Sequence, residues 1–348
     1  MKSNINLNKD QRDSKVYVIA EIGVNHCGKV SLAKEMIYEA KKAGADAVKF
    51  QTFTAEKLAN RNTPKAPYQV STTGKEESHF EMLSSLELTK DAHELVFQYC
   101  DEVGIDFIST PYDVESATFL NQLGCKVFKT ASADIVDVEL HAYLGSLKSS
   151  VLISTGMSTL GDIEDCLTFY DGDSSVTLLH CVSNYPCSDV SLNLNVLKTL
   201  AAAFSFPIGF SDHSIGVEAS IMSVAMGVSV IEKHFTLDRD LPGPDHKASI
   251  LPSEFKLLVN AIRRAEVMLG SPRKKIQSEE LDMALTSRKS ITLNRPMKAG
   301  NIIEPEDLIL KRPGNGLKPR EIKNVLGLRV RKDLSEGHQI SHQDLDDA

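Results

Sequence analysis

The stretch PIGFSDHSIGVEASIMSVAMGVSVIEKHFTL, residues 207–237, sets the frame for the rest of the chain. It predicts a strand, a helix and a second strand, and both strands end in a polar cluster. The first ends in Ser211, Asp212 and His213, the second in Glu232, Lys233 and His234. Two imidazoles so placed, beside a lysine, are a candidate metal site. A histidine at a strand end is more often a hydrogen-bonded structural residue, so the pair takes its meaning from the other strands.

From Val16 onward, short apolar runs alternate with longer amphipathic ones. Candidate strands fall at 16–24, 46–53, 106–113, 126–134, 151–157, 176–186, 207–214 and 228–237. Helical segments lie at 31–43, 89–103, 115–123, 137–148, 160–169, 193–203, 217–226 and 253–268. Gly44, Gly104, Gly124 and Gly227 each stand between a helix and the strand after it, as a left-handed helix terminus requires. Continuous apolar strands separated by helices imply a parallel sheet covered on both faces. Eight such units predict an α/β fold, the (β/α)₈ TIM barrel. An open doubly wound sheet is the rival, but no GxGxxG phosphate turn is present.

The predicted division is a polar extension at 1–15, a barrel at 16–270, a linker with a short helix at 271–288 and a small turn-rich domain at 289–348. With 348 residues and 42% of them hydrophobic, the chain can build one large core and a smaller one. A formal net charge of −8 argues against nucleic acid and anionic membrane surfaces as partners. No apolar run approaches the roughly 18 residues of a membrane span. The polar start, MKSNINLNKDQRDSKVY, lacks the apolar core of a signal peptide. The six cysteines are scattered without CxxC spacing, so the cytoplasm is the expected compartment.

A TIM barrel carries its active site at the C-terminal ends of its strands. Here those ends are polar throughout: Glu21; Lys49 and Gln51; Ser109 and Thr110; Lys129, Ser132 and Asp134; Ser154 and Thr155; Ser183, Asn184 and Tyr185; Ser211 and His213; Lys233 and His234. Inward lysines at 49 and 129 are costly unless they meet an anion. With Ser132, Ser154, Asn184 and Ser211 as donors, they suit a phosphate plus a carboxylate. They also fit pairing with Glu21 or Asp134, or Schiff-base chemistry by one lysine, as in a pyruvate aldolase. His213 and His234 supply two ligands where a closed zinc site needs four. With waters, they describe an open site able to polarise a substrate oxygen. Glu21 and Asp134 are candidate general bases. The loop 54–88 has the length of a lid or binding loop, and 238–252 is a second long loop on the same face.

At this point the residues match a family. IAEIGVNHCG (19–28), GADAVKFQTF (44–53), KAPYQ (65–69), EMLSSLEL (81–88), STPYD (109–113), ISTGMSTLGDIE (153–164), LLHCVSNYP (178–186), GFSDHSIG (209–216), VIEKHFTLDRDLPGPDHKASI (230–250) and KRPGNGL (311–317) occur in fixed order. In these the chain resembles the bacterial sialic acid synthases, from about residue 16 to its end. Those enzymes condense phosphoenolpyruvate with an N-acetylated mannosamine. Their fold is a (β/α)₈ barrel followed by a small antifreeze-like (SAF, β-clip) domain.

The resemblance implies that His213 and His234 hold a divalent cation, commonly manganese, with magnesium or cobalt as the other choices. It implies a phosphoenolpyruvate cradle of Lys49, Thr110, Lys129, Ser132, Ser154, Asn184 and Ser211. Gln51, Tyr185 and Asp245 would contact the open-chain sugar. Arg312 would reach from the small domain of one subunit into its partner's barrel, over the N-acetyl group, which implies a domain-swapped homodimer. Many bacterial members carry SGE where this chain has Ser132, Ala133 and Asp134, and the animal members that use a 6-phosphorylated sugar tend to have Asp there. The PGPDHKAS and KRPGNGL segments are of the bacterial type, so the expected acceptor is unphosphorylated N-acetylmannosamine and the product N-acetylneuraminate. The alternatives are the 2,4-diacetamido-2,4,6-trideoxymannose that leads to N,N'-diacetyllegionaminate, and the sugar 6-phosphate. In the implied reaction the metal polarises the sugar aldehyde and the phosphoenolpyruvate methylene attacks it. Water captures the resulting cation with Asp134 or Glu21 as base, and phosphate leaves by carbon–oxygen cleavage.

Overall fold

The computed structural model describes residues 15–74, 77–171 and 174–346. Apart from Lys15, the predicted extension at 1–15 lies outside them. Eight parallel strands close into a barrel in chain order: β1 (Tyr17–Gly23), β2 (Ala47–Thr52), β3 (Asp106–Pro111), β4 (Val127–Thr130), β5 (Ser150–Ser154), β6 (Ser175–His180), β7 (Ile208–Asp212) and β8 (Val230–His234). β8 returns to pair with β1, with Glu21 opposite His234. The helices that follow the strands are α1 (Val30–Ala43), α2 (Lys90–Val103), α3 (Val114–Leu123), α4 (Val138–Ser146), α5 (Leu160–Leu167), α6 (Val196–Ala203), α7 (Glu218–Ala225) and α8 (Pro252–Leu269).

The first helix illustrates how local sequence sets these elements. Ala33, Met36, Ile37, Ala40 and Ala43 recur at helical spacing and are buried, so one stripe of α1 faces the sheet. Lys41 and Lys42 sit in its last turn, where the helix dipole favours cations. Gly44 then adopts φ 98° and donates to Ala40 and Lys41, turning the chain directly into β2.

Along each strand, side chains alternate between the helix layer and the barrel interior. Ile19, Ala47, Ile108, Val127, Leu152, Leu179 and Val230 fill the interior as an apolar plug. The outward side chains join the helices in one large core.

The eight strands are all shorter than their predicted runs, and two of them show why. The run 126–134 forms β4 only as far as Thr130, and Ser132–Val136 is a 3₁₀ turn. The run 176–186 leaves the sheet after His180. In both, the polar ends hydrogen-bond their own backbone or neighbouring loops, which competes with ladder pairing.

The chain divides after Gly270. The second unit contains a short helix, Leu281–Ser287, and two two-stranded antiparallel sheets. β9 (Ser290–Leu293) pairs with β10 (Leu308–Lys311), and β11 (Arg329–Val330) with β12 (Leu345–Asp346). Its separate core includes Ile291, Leu293, Ile303, Val330 and Ile340. Asp344 ties its turns together, accepting from the Ser341 hydroxyl at 2.7 Å and pairing with Lys332 at 2.9 Å and His338 at 3.0 Å. No helix among the described residues is long and apolar enough to cross a membrane.

Candidate functional site

Counting by twos from the plug builds the site. Two residues beyond Ile19, Ala47, Ile108, Val127, Leu152 and Val230 stand Glu21, Lys49, Thr110, Lys129, Ser154 and Glu232, with Ser211 on β7 beside Glu232. Two further on come Gln51, Tyr112, Ala131, Ser183, His213 and His234, with Gly23 on β1. The first set floors a cavity of about 630 Å³ at the C-terminal end of the barrel, and the second rings it. Gly23 completes the ring at φ +54°, where a Cβ would lie 2.9 Å from the Glu21 Oε1.

The floor is a buried quartet of charges. Lys49 Nζ pairs with Glu21 at 2.8 Å and Glu232 at 3.8 Å, and donates to the Thr110 hydroxyl at 3.1 Å. Lys129 donates to the Ser154 hydroxyl and lies 4.0 Å from Glu232. Burial works against the Glu232 charge, yet Lys129, Lys49 and the Ser211 hydroxyl hold its carboxyl down to about 2. Burial pushes Glu21 up to about 7 in spite of Lys49. It also opposes the Lys49 charge, but Glu21 and Glu232 more than offset it and the pKa rises. Lys129 is lowered by burial. Glu21 Oε2 meets only the Lys49 ammonium, and Glu232 Oε2, 3.8 Å from the same ammonium, has no hydrogen-bond partner among the described residues. A floor so arranged can exchange its internal pairing for a bound anion.

The ring above holds both imidazoles. Their centroids are 5.5 Å apart, and the Tyr185 ring packs on His213 at 4.1 Å. His213 Nδ1 donates to the Val182 carbonyl at 2.7 Å, which leaves Nε2 as the lone-pair nitrogen, 3.3 Å from the Ser211 hydroxyl. Burial lowers His213 to about 4, and His234 is also lowered, so both are neutral near pH 7. His234 Nδ1 and Asp245 Oδ1 are buried without partners among the described residues, and Asp245 Oδ2 lies 3.9 Å from that nitrogen. Among the described residues no three His, Cys, Asp or Glu side chains are grouped to hold a metal. Two neutral imidazoles beside an unsatisfied carboxylate nevertheless fit an open divalent-cation site that leaves positions for substrate or water.

The remaining predicted residues take several positions. Gln51 donates to Glu21 at 3.2 Å and accepts from Tyr112 at 3.3 Å. The Ser132 hydroxyl accepts from the Gly156 N–H at 3.1 Å, at the cavity wall. Asp134 lies in the 3₁₀ turn after β4, where burial raises its carboxyl to about 7 and Oδ2 has no partner among the described residues. Asn184 is exposed and donates to the Pro186 carbonyl at 3.1 Å, while Ser183 lines the cavity. Arg312 is exposed in the second unit, just after β10.

Lys233 does not lie beside the imidazoles in the mouth. One residue out of phase with them, it points to the outer layer and pairs with Asp212 at 2.8 Å. Asp212 also accepts from the Ser214 and Ser220 hydroxyls, each at 2.6 Å.

Glu232, Tyr68 and Tyr112 were given no site role from the sequence, although Glu232 stands in the polar cluster that ends the eighth strand. Strand parity alone identifies Glu232 and Tyr112. Tyr68 belongs to the long loop, which is folded here into the helices Ala55–Leu58, Pro67–Thr73 and His79–Leu86. Its ring lies 5.0 Å from that of Tyr185, and burial together with the neighbouring Asp245 carboxylate raises its hydroxyl well above the ordinary range.

The chain is similar to known proteins along nearly its whole length. The NeuB family profile matches residues 36–274, and the SAF domain profile matches 288–346. The chain is 46% identical over 327 residues to the N,N'-diacetyllegionaminic acid synthase of Legionella pneumophila, covering 92% of each chain. It is 39% identical over 330 residues to the Campylobacter jejuni protein of the same name, covering 94% of this chain and 99% of that one. The crystal structure of the N-acetylneuraminic acid synthetase of Leptospira borgpetersenii superposes with a TM-score of 0.70 at 33% identity, over 78% of this chain and 90% of that one.

Proposed function

The chain belongs to the NeuB family of sugar-acid synthases, and from that premise we propose that it is an N,N'-diacetyllegionaminate synthase. Phosphoenolpyruvate and 2,4-diacetamido-2,4,6-trideoxymannose are its substrates. The observation that carries the acceptor is the 46% identity to the Legionella enzyme over nearly the full length of both chains. It favours this sugar over the N-acetylmannosamine expected from motifs alone.

In this reading the anion of phosphoenolpyruvate displaces the internal pairing of the floor, so that Lys49 and Lys129 face its phosphate and carboxylate. The hydroxyls of Thr110, Ser154 and Ser211 complete the cradle, and Ser132 closes one wall. A divalent cation on His213 and His234 would supply Lewis acidity to the acceptor aldehyde. Gln51, Tyr185 and Asp245 hold the open-chain sugar with that aldehyde over the floor. The methylene carbon of phosphoenolpyruvate bonds to the aldehyde carbon, whose oxygen takes a proton from solvent and becomes a hydroxyl, and water adds to the adjacent cationic carbon. Asp134 takes the proton of that water. The added hydroxyl then gives up its proton to the departing phosphate as the carbon–oxygen bond breaks, releasing phosphate and leaving a 2-keto acid.

A phosphate-release assay with phosphoenolpyruvate and each of three sugars tests this: the diacetamido sugar, N-acetylmannosamine and its 6-phosphate. The diacetamido sugar is expected to give the highest kcat/KM, and a chelator to abolish turnover. Preference for either other sugar overturns the acceptor, and no phosphate release with any of them overturns the reaction.

A further inference from the structure

The segment after β2 roofs the mouth, and its construction is specific. Val24, Phe53, Ala55, Met82, Leu83 and Leu86 form a satellite core that fixes it to the barrel. Ser78 and Glu81 form a reciprocal capping box, with Ser78 Oγ accepting from Glu81 N at 3.1 Å and Glu81 Oε2 accepting from Ser78 N at 2.7 Å. This fixes the first turn of helix His79–Leu86 and therefore the position of His79. Lys65 Nζ is spent within the roof, on the Thr73 hydroxyl at 2.8 Å, the Gly74 carbonyl at 3.1 Å and Glu77 at 2.9 Å.

The roof presents two kinds of surface to the cavity. Leu58, Met82, Leu83 and Leu86 are apolar walls. His79 lines the same cavity, and its Nδ1 is buried without a hydrogen-bond partner among the described residues. A buried polar atom left unpaired is costly and calls for a ligand group.

A sugar whose aldehyde sits over the lysine floor directs its far carbons to the roof. Three kinds of substituent can be weighed there. A phosphate needs an uncommitted cation, and Lys65 already serves Thr73, Gly74 and Glu77. A hydroxymethyl group would lose its water hydrogen bonds against leucine and methionine. A methyl group suits those walls, and an acetamide adds one polar group for one imidazole nitrogen plus a further methyl. We propose that Leu58, Met82, Leu83, Leu86 and His79 form the pocket for the 4-acetamido and 6-methyl groups of the acceptor, and so set its specificity. This rests on the acceptor assigned above.

The pocket contributes binding to the ground state and the transition state alike, so its loss lowers kcat/KM for the diacetamido sugar chiefly through KM. Kinetics with phosphoenolpyruvate and either the diacetamido sugar or N-acetylmannosamine test it, in wild type, His79→Leu and Leu58→Ser. An apolar wall rejects an added hydroxyl by about 10²-fold at most, so each variant is expected to lower the preference for the diacetamido sugar about tenfold or more, through KM. Thermal melts confirm that each variant is folded, and Leu58→Ser carries the test if His79→Leu is not. A parallel loss with both sugars, or an unchanged preference, overturns the pocket while the acceptor stands. A wild type that prefers N-acetylmannosamine overturns the acceptor before any variant is read.

Discussion

Lys49 Nζ lies 2.8 Å from Glu21 Oε2, a buried ion pair on the floor of the barrel mouth. Removing the cation leaves Glu21 and Glu232 with Lys129 alone. Breaking one side of a buried pair costs about 3–5 kcal/mol, so Lys49→Met is expected to lower the urea midpoint clearly. Turnover should fall by at least about 10²–10³-fold, the loss typical of one transition-state donor. Denaturant titration and phosphate release measure the two effects separately.

Asp134 predicts a pH limb. Burial raises its carboxyl to about 7, so it is neutral below that pH and a carboxylate above. Glu21 is raised similarly but is tied to Lys49 and Gln51, whereas Asp134 Oδ2 is unpartnered among the described residues. The rate should therefore rise with pH through about 7, and Asp134→Asn should flatten that limb while Glu21→Gln keeps it. Stability runs the other way, because the folded pKa exceeds the ordinary value of about 3.9. The stabilising effect is full below about pH 4 and lost as pH rises through 7. Asp134→Asn should thus gain on wild type at pH 8 but not at pH 4, as melts at both values would record.

Dialysis against a chelator should abolish turnover, and manganese should restore it. With both imidazoles neutral well below pH 7, protons compete little for the site at neutral pH. His213→Ala and His234→Ala should each weaken manganese binding more than tenfold by titration calorimetry. Full metal-dependent turnover in either variant would remove it from the ligand set.

Burial lowers Lys129, a property also found in Schiff-base lysines. A synthase leaves it unmodified. Pyruvate with borohydride should neither inactivate the protein nor add mass to Lys49 or Lys129, by intact-mass and peptide spectrometry.

The dimer expected from Arg312 has a direct check. Light scattering should give twice the chain mass. Arg312→Ala should raise the KM for the sugar, and mixing it with Lys49→Met subunits under exchange conditions should recover activity, because one hybrid site then carries both residues intact. No recovery despite subunit exchange would confine Arg312 to its own chain or remove it from the site.

Much of the fold was legible because helix and strand periods are written locally. The Gly44, Gly104 and Gly124 termini and the apolar strands needed no long-range information. The floor was partly legible, since Lys49, Lys129 and Ser154 are polar residues at the ends of apolar strands. Glu232 was passed over as a site residue because an acid looks misplaced in an anion site until both lysines are seen to share it. Lys233 was misplaced by one step of strand parity, which depends on where the strand begins. Asn184 and Ser183 differ by the same step, after the chain has left β6. The roof was legible only as a long loop, 54–88, of lid or binding-loop length; the position of His79 within it was not, because it depends on how a separate small core packs over the mouth.

The Asp212–Lys233 bond has a consequence for how this mouth can change over generations. On β7 and β8, Ser211 pairs with Glu232 and Asp212 with Lys233. A slip of either strand by one residue would drive a charge from the outer layer into the mouth and turn an imidazole out among the helices. Such a slip is penalised twice, by an orphaned ion and by a lost ligand. The alternate letters of Ser211-Asp212-His213 and Glu232-Lys233-His234 thus encode the chemistry and its alignment together. Substitutions can drift here one at a time, but an insertion or deletion has nowhere to go except the connection between the strands.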